Sequence, residues 1–335
     1  MTVDIVTHAL LSLALARGFF ARRGWPVLAG ILVAGTLADV DWITVWLGPA
    51  AYLAGRRTFT HSLLGTVVII AIAAWIARAL DSQRRETWKG ILAATSCAAV
   101  AHLLFDLCQS GGIALLWPFR GTRYALDWLP PVDPWILFLL FGAVVVPEFL
   151  RMVSLEIGAK DKRPRGRNGA LVALALIGVY LAARGVLHFN SVALLEPRSY
   201  HGESPRRAET FAESLSLLTW HGVVETQSYL CLIDVPVSSG ESFDPESGTC
   251  LHKPEESPVL TAVQQSAVGP KFLSAASIPR AAVDKSEIGY EVVIRDLRDV
   301  AEQQTRHRVV ARIWLDSGAR IVSEELGWAG EVRLR

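Results

Sequence analysis

Residues 63–80, LLGTVVIIAIAAWIARAL, form an apolar run of 18 residues in which Arg78 is the single charged side chain. A helix needs about 20 predominantly apolar residues to cross a membrane, so this run predicts a transmembrane helix. Further apolar segments lie on either side of it, at about 5–20, 25–47, 90–108, 132–153 and 168–188. We therefore predict an all-α polytopic membrane domain of about six helices in residues 1–190. The segment at 5–20 is short, and those at 25–47 and 90–108 carry ionisable groups, which leaves open whether they cross completely.

The composition of the 335 residues divides the chain in two. Overall, 51% of the residues are hydrophobic and 19% are charged, whereas soluble domains carry about 25% charged residues. The deficit is concentrated in residues 1–190, and residues 196–335 resemble an ordinary water-soluble sequence. The net charge of +1 provides no field for nucleic acid, and no nucleic-acid partner is expected.

Residues 196–335 predict a small soluble α/β domain that is rich in strands. Alternating β-branched and aromatic residues predict strands at 229–237, 290–297, 306–315 and 322–328. The start of the segment 207–226 fits a helix, and the Ser-, Gly-, Pro- and Glu-rich stretch 237–259 fits a loop. We expect this domain to have a protein partner of unknown kind, or to cover a site in the membrane domain.

Basic residues predict the orientation in the membrane. Thirteen of them fall in alternate connections: Arg17, Arg22, Arg23, Arg78, Arg84, Arg85, Lys89, Arg151, Lys160, Lys162, Arg163, Arg165 and Arg167. The other connections hold four, namely Arg56, Arg57, Arg120 and Arg123. By the positive-inside rule, the side with thirteen is cytoplasmic, which places residues 196–335 outside.

We expect a retained N-terminal segment, because its basic residues follow the apolar stretch rather than precede it. In an oxidising compartment Cys231 and Cys250 could pair, although their spacing alone leaves this open.

Ionisable residues within apolar segments are expensive and are therefore candidates for function. With the orientation above, three histidines and three aspartates lie near the outer ends of four different segments. They are His8, Asp39, Asp41, His61, His102 and Asp106. Because the orientation was derived from arginine and lysine alone, this coincidence is an independent observation.

These residue types favour a metal site. His102 and Asp106 are four residues apart, which places both on one face of a helix, and imidazole with carboxylate ligands favours zinc, with manganese or iron as alternatives. Each fragment alone has a simpler interpretation: an interfacial histidine, a hydrogen bond between helices, or a solvated Asp39–Asp41 turn. Together, however, the aspartates would repel one another unless a divalent ion lay among them.

Four sequence blocks, THALLSLALA, AGTLADVDWI, RRTFTHSLLG and AAVAHLLFDLCQSGGIALLWPF, occur in this order within residues 1–120. As a set they resemble the membrane-bound metal-dependent hydrolase family, known partly as LexA-regulated inner-membrane hydrolases. That family looks distantly similar to the zinc-dependent phospholipase C and single-strand nuclease group, which acts on phosphodiesters. The resemblance implies that His8, Asp39, Asp41, His61, His102 and Asp106 are metal ligands, with Asp39, His61 and Asp106 catalytic.

Other polar residues on the outer side are secondary candidates. Arg56 and Arg57 could bind a substrate phosphate or interact with lipid headgroups. Asp127 and Asp133 could act as a general base or an extra ligand, or could be solvated or helix-capping carboxylates. Ser62 and Thr60 fit the role of hydrogen-bonding partners to the ligands better than that of a nucleophile. The remaining histidines lack a partner at ligand spacing: His188, His201, His221, His252 and His307.

We therefore expect a multi-pass protein of a bacterial-type inner membrane, with a metal-dependent hydrolase site at its extracytoplasmic face. The substrate would be a phospholipid or a lipid-linked phosphate. Two alternatives remain open. One is a metal-ion transporter, which would spread ionisable groups across the depth of the membrane. The other is a non-catalytic envelope protein with a structural metal, whose ligands would close the coordination sphere.

Overall fold

The structure is a computed structural model and describes residues 2–156, 166–238, 243–301 and 308–329. It forms two compact units. The first unit comprises Met1–Asp41 and Arg57–Val186, and the second comprises Trp42–Arg56 and Leu187–Arg335. The basic residues Lys160, Lys162, Arg163 and Arg165, the start of the strand predicted at 306–315, and His307 lie outside the described residues.

The first unit is helical. Its elements are α1 (Thr2–Phe19), α2 (Trp25–Thr36), a 3-10 helix η1 that begins at Leu37 and ends at Val45, α4 (Leu63–Leu80), α5 (Trp88–Cys108), α6 (Pro134–Glu156) and α7 (Arg167–Leu195), whose last residues belong to the second unit. Within the described residues, five helical segments are long and apolar enough to cross a membrane, at Trp25–Val45, Leu63–Leu80, Trp88–Cys108, Pro134–Val153 and Arg167–Leu195. A shorter apolar helix spans Ile5–Phe19. The predicted helical membrane domain is confirmed.

Small residues allow the helices of this unit to pack closely. The core between α1, α2, α4 and α5 is rich in alanine, and Gly30 of α2 leaves no room for a Cβ beside Ala77 of α4. Small residues are typical of interfaces between membrane helices, because lipid tails compete with large apolar side chains for the same contacts. Large apolar residues such as Phe138, Phe141 and Val179 are exposed instead, as expected of a surface that faces lipid.

The second predicted segment, 25–47, is not one continuous α-helix. Its α-helix ends at Thr36, and the chain continues as the 3-10 helix to Val45. Long 3-10 runs are uncommon in proteins and often coincide with functional sites. The run here contains both Asp39 and Asp41.

The second unit contains two four-stranded antiparallel sheets. One has the order β1 (Arg207–Ala212), β2 (Thr219–Glu225), β3 (Tyr229–Pro236) and β4 (Thr249–His252), and the other has the order β5 (Pro279–Ser286), β6 (Gly289–Asp296), β7 (Val309–Asp316) and β8 (Ile321–Trp328). The helices are α3 (Pro49–Gly55), α8 (Pro258–Gln265), α9 (Gly269–Ala275), α10 (Leu297–Ala301) and the 3-10 turn η2 (Pro245–Ser247). The prediction that this part of the chain is rich in strands is confirmed.

Two local predictions in this unit were wrong. The start of segment 207–226 is strand β1 and not a helix, because Phe211 and Ala212 are buried and pair with His221 and Trp220 of β2. The loop predicted at 237–259 contains the short strand β4, which pairs with β3. There Cys250 lies opposite Cys231, and the two form a disulfide.

Residues 42–56 group with the second unit, although the first four of them form the end of the 3-10 helix η1 and of the apolar segment Trp25–Val45. Tyr52 and Leu53 of α3 pack against the core of the β5–β8 sheet, and the Tyr52 ring lies 5.3 Å from that of Trp328. Nothing in the sequence of this short segment indicates such long-range packing.

Candidate metal centre

Helix α5 supplies two of the six predicted residues, His102 and Asp106. Their spacing of four places both on one face, and Nε2 of His102 lies 3.3 Å from Oδ2 of Asp106. Asp106 is completely buried and His102 almost so. A buried carboxylate requires compensation by hydrogen bonds or opposite charge, so the surroundings of Asp106 define the site.

The segment THSLLG positions His61 immediately before α4. The Ser62 hydroxyl caps that helix by accepting a hydrogen bond from the Gly65 amide at 3.0 Å, and it donates to the Phe59 carbonyl at 2.7 Å. A Cβ on Gly65 would lie 1.8 Å from the same carbonyl oxygen, so only glycine allows this approach. Ser62 is thus a helix cap that fixes the loop carrying His61.

Asp39 and Asp41 lie on the 3-10 helix and have different environments. Oδ2 of Asp39 lies 2.9 Å from Nδ1 of His8 on α1. Oδ2 of Asp41 accepts hydrogen bonds from the Arg57 amide at 2.6 Å and the Thr60 hydroxyl at 3.1 Å. The same oxygen lies 3.1 Å from Nδ1 of His61.

Three imidazoles converge on Asp106. Nε2 of His61 lies 2.8 Å and Nε2 of His102 lies 3.3 Å from its Oδ2 atom, and Nε2 of His8 lies 3.4 Å from its Oδ1 atom. The Nε2 atoms of His61 and His102 are 3.3 Å apart. The rings of His8 and His102 have centroids 3.9 Å apart.

The opposite ring nitrogen of each histidine has its own partner. Nδ1 of His102 lies 2.9 Å from the Gly35 carbonyl oxygen, which can only accept, so this nitrogen carries the proton. Nδ1 of His8 faces Asp39, and Nδ1 of His61 faces Asp41. Such partners orient the rings and direct the Nε2 atoms inward, as around metal-ligating histidines in general.

The arrangement fits a divalent cation. Ligand atoms of Asp39, His61, His102 and Asp106 all lie within 4.8 Å of one another, and all four residues are buried. Nε2 of His8 is buried without a hydrogen-bond partner among the described residues, which a ligand role would explain. This cluster could therefore hold a metal ion, and its nitrogen and carboxylate donors suit zinc, manganese or iron. Asp41 is not among these four, and its Oδ2 atom lies 3.1 Å from Nδ1 of His61.

The electrostatics of His61 agree with this description. Burial by itself lowers the pKa of the His61 imidazole, but the adjacent carboxylates of Asp106 and Asp41 outweigh burial and raise the pKa to about 9. Without a cation the ring is therefore protonated at neutral pH. A cation that binds to its Nε2 atom must displace this proton, which makes metal affinity depend on pH.

Arg56 and Arg57 are adjacent in the sequence but have different surroundings in the structure. Arg57 is buried, and its guanidinium donates to Oδ1 of Asp106 at 3.1 Å and to the Gln109 side chain. Arg56 belongs to the second unit, where its guanidinium lies over the Trp42 ring at 4.3 Å and donates to the Tyr52 hydroxyl at 2.6 Å. Both side chains are therefore engaged in contacts of their own.

Several participants were not predicted from the sequence. The Gly35 carbonyl and the Gln109 side chain are not ionisable, so the presence of ionisable residues in apolar segments does not indicate them. Of the outer-loop carboxylates, Asp133 caps α6 by accepting from the amides of Trp135 and Ile136, and it also accepts from the Tyr180 hydroxyl. The capping alternative thus describes Asp133.

The fold and the site together define a polytopic membrane protein with a buried histidine–aspartate cluster able to hold a metal ion. The family of YdjM inner membrane proteins matches residues 3–190, which is more than half of the chain. The chain therefore belongs to the YdjM inner membrane protein family and is a multi-pass inner membrane protein. No curated protein and no solved structure matches it.

Proposed function

We propose that this protein is a membrane-embedded, metal-dependent hydrolase that cleaves a phosphoester. The observation that carries the proposal is the convergence of three imidazole Nε2 atoms on the buried Asp106 carboxylate. A divalent ion held by such ligands supplies a water of pKa about 7 and polarises a phosphoryl oxygen. The chain's own residues hold the ion through Asp39, His61, His102 and Asp106, with His8 beside them.

Further residues keep these ligands in position. Asp41 and the Gly35 carbonyl orient His61 and His102, and Arg57 places a positive charge against Asp106. These partners hold the imidazole rings in the orientation that ligation through Nε2 requires. The roles proposed for Asp39, His61 and Asp106 in catalysis rest on this positioning and on the family resemblance.

A lipid or lipid-linked phosphate is the proposed substrate class. Asp106 lies in the last turn of α5 and His61 immediately precedes α4, so the site lies at the ends of membrane spans. Next to His61, the half-exposed Phe59 makes an edge-on contact with Trp117 at 5.6 Å. Exposed aromatic side chains at the ends of spans are typical of the level of the lipid headgroups.

We propose that the site and the second unit are extracytoplasmic. Two independent features support this orientation: the distribution of basic residues between the connections, and the disulfide between Cys231 and Cys250. Disulfides persist in oxidising compartments such as the periplasm and are rare in the cytosol.

A structural metal site is the second candidate, and one observation favours it. Asp39, His61, His102 and Asp106 are sufficient to close a four-coordinate sphere, and all are buried. A catalytic site keeps one position open for water or substrate, whereas a structural site does not.

Hydrolysis assays on purified full-length protein test the proposal. The wild type, supplied with zinc or manganese, is incubated with phospholipid vesicles, a lipid-linked pyrophosphate and a generic phosphodiester. We expect turnover of a lipid substrate that falls at least a hundredfold in His102→Ala and Asp39→Asn, because water activation of this kind depends on the ion.

Asp81→Asn and His252→Ala are the matched controls. Asp81 is a buried carboxylate at the opposite end of α4, and His252 is an exposed histidine of β4. Both variants should retain turnover. Wild-type protein that holds metal without hydrolysing any of these substrates would contradict the hydrolase and support the structural alternative.

A further inference from the structure

Four arginines lie together on one face of the β5–β8 sheet: Arg280, Arg295, Arg308 and Arg312. They are called the arginine cluster below. Arg295 of β6 is directly opposite Arg280 of β5. The β6–β7 ladder ends at the pair Ile294–Ala311, and its register continued by one residue brings Arg295 opposite Val310, with Arg308 and Arg312 on the two diagonals. Diagonal neighbours in a sheet are about 7–8 Å apart, so Arg295 is the centre of the cluster.

The cluster lacks a matching set of carboxylates. Arg312 pairs with Glu325 across β7 and β8 at 2.9 Å, but in the described part of the chain no ion pair or side-chain hydrogen bond is found for Arg280, Arg295 or Arg308. Asp284 and Glu291 share this face: Glu291 lies diagonally across the β6–β7 ladder from Arg312, and the charge of Asp284 partly offsets the effect of the neighbouring arginines on the pKa of Arg295.

This arrangement is unfavourable without a ligand. Like charges directly opposite on neighbouring strands destabilise a sheet. In addition, Nε of Arg280, Nε of Arg308 and Nη2 of Arg312 are buried and have no hydrogen-bond partner among the described residues. A buried donor without an acceptor costs about 1–3 kcal/mol. Partial burial, followed by the charges of the three neighbouring arginines, lowers the pKa of Arg295.

We propose that the arginine cluster is a binding site for a phosphate-type oxyanion. Guanidinium groups present several donors in a plane and bind phosphate through paired hydrogen bonds. Arg312 is paired with Glu325, whereas Arg280, Arg295 and Arg308 form no ion pair with a described residue, so a multiply charged group such as a phosphomonoester or a pyrophosphate is the best match. The site lies outside residues 3–190 and is independent of the proposed hydrolase.

Arg280 also lines a cavity to which the other three arginines do not contribute, and whose β5 and β6 residues Ala281 and Ile294 project from the opposite face of the sheet. Its volume is about 370 Å³ and its lining includes apolar side chains from both sheets, together with Arg207 and Lys253. Glu225 is its single carboxylate, and it is already paired with Lys253 at 2.7 Å. The volume falls at the lower end of the range typical of small-molecule sites. The oxyanion bound by the cluster could belong to a free phosphate compound or to the headgroup of a lipid, since both present the same phosphate chemistry.

Equilibrium binding to the full chain in detergent tests this proposal. The probes are inorganic pyrophosphate and a short-chain phosphatidic acid, which distinguish the two sources of the same chemistry. The variants are Arg295→Gln and Arg280→Gln, with Arg320→Gln as the matched control, since Arg320 is an exposed arginine at the β7–β8 turn. Loss of a charge-assisted hydrogen bond should weaken binding of at least one probe by about tenfold or more in both cluster variants.

The control should bind like the wild type. Without the probe, Arg295→Gln should unfold at the same temperature as the wild type or at a higher one, because one repulsive charge is removed. The proposal is overturned if neither probe binds the wild type, if both cluster variants bind as the wild type does, or if Arg320→Gln loses as much affinity as they do.

Discussion

At the scale of single residues, Asp106 is the side chain that the other polar side chains of the metal centre surround. It is completely buried, and it is in contact with His8, Arg57, His61 and His102. A buried carboxylate with so many cationic or potentially cationic neighbours is an ion site or a salt-bridge network. The inward direction of three imidazole Nε2 atoms favours the ion site.

Asp41 should support the metal centre without being indispensable to it. Replacing it as Asp41→Asn removes the charge that orients His61, and changes of this kind typically weaken metal affinity by about 10–100-fold. Asp106→Asn should abolish binding. The metal affinity of both variants is measured as the metal content that remains after incubation with increasing concentrations of a chelator, and Asp81→Asn is the control. Equal losses in Asp41→Asn and Asp106→Asn would instead make Asp41 a ligand.

Arg56 and Arg57 should differ sharply although they are adjacent. Arg57→Gln leaves Asp106 without its guanidinium partner, and breaking a buried ion pair costs about 3–5 kcal/mol. Arg56→Gln removes a stack on Trp42, worth about 0.5–2 kcal/mol. Thermal unfolding in detergent, measured without added metal, should show the larger decrease for Arg57→Gln. The same decrease in both variants would contradict the role assigned to Arg57.

At the scale of elements, hydropathy was sufficient for the membrane helices, because a span must be long and apolar regardless of its neighbours. The four residues that the structure brings into one buried group, Asp39, His61, His102 and Asp106, could be singled out for a related reason, since ionisable groups stand out in apolar segments. Their separate roles were not predictable. The D-x-D pattern does not distinguish Asp39, which faces His8, from Asp41, which contacts the next loop.

The sequence did not predict strand β1 or the packing of α3, because both depend on contacts with residues that are distant in the sequence. The β1 sequence RAETFA satisfies helix propensity locally, and only pairing with β2 and burial of Phe211 make it a strand. Likewise, α3 joins the second unit through contacts with residues more than two hundred positions away. Tertiary packing decided both cases.

Gly65→Ala should disrupt the metal centre through the backbone. The added Cβ would lie 1.8 Å from the Phe59 carbonyl oxygen, so the loop that carries His61 must move. Gly178→Ala in α7 is the matched control, because a Cβ there meets nothing within 4 Å. We expect Gly65→Ala to lose most of its metal and the control to retain it. Metal content equal to that of the control would show that His61 is not held in this way.

At the scale of the whole molecule, the chain combines a membrane unit of the YdjM family with a strand-rich unit outside the family match. The first unit carries the candidate metal centre, and the second carries a disulfide and the arginine cluster. Both the disulfide and the distribution of basic residues support an extracytoplasmic second unit.

The state of the cysteines tests this topology. After export to an oxidising compartment, Cys231 and Cys250 should resist alkylation in denatured, unreduced protein, whereas Cys97 and Cys108 should react. Mass spectrometry of protein taken from cells with and without periplasmic disulfide formation measures this difference. Four reactive thiols in both strains would place the second unit in the cytoplasm.

X-ray absorption spectroscopy at the zinc edge, on purified full-length protein loaded with zinc and freed of excess metal, tests the metal centre most directly. We predict a bound ion whose neighbours include imidazole nitrogens at about 2.0–2.1 Å, with this signal lost in Asp106→Asn and retained in Asp81→Asn. A wild type that holds no zinc, or an unchanged spectrum in Asp106→Asn, would contradict the account.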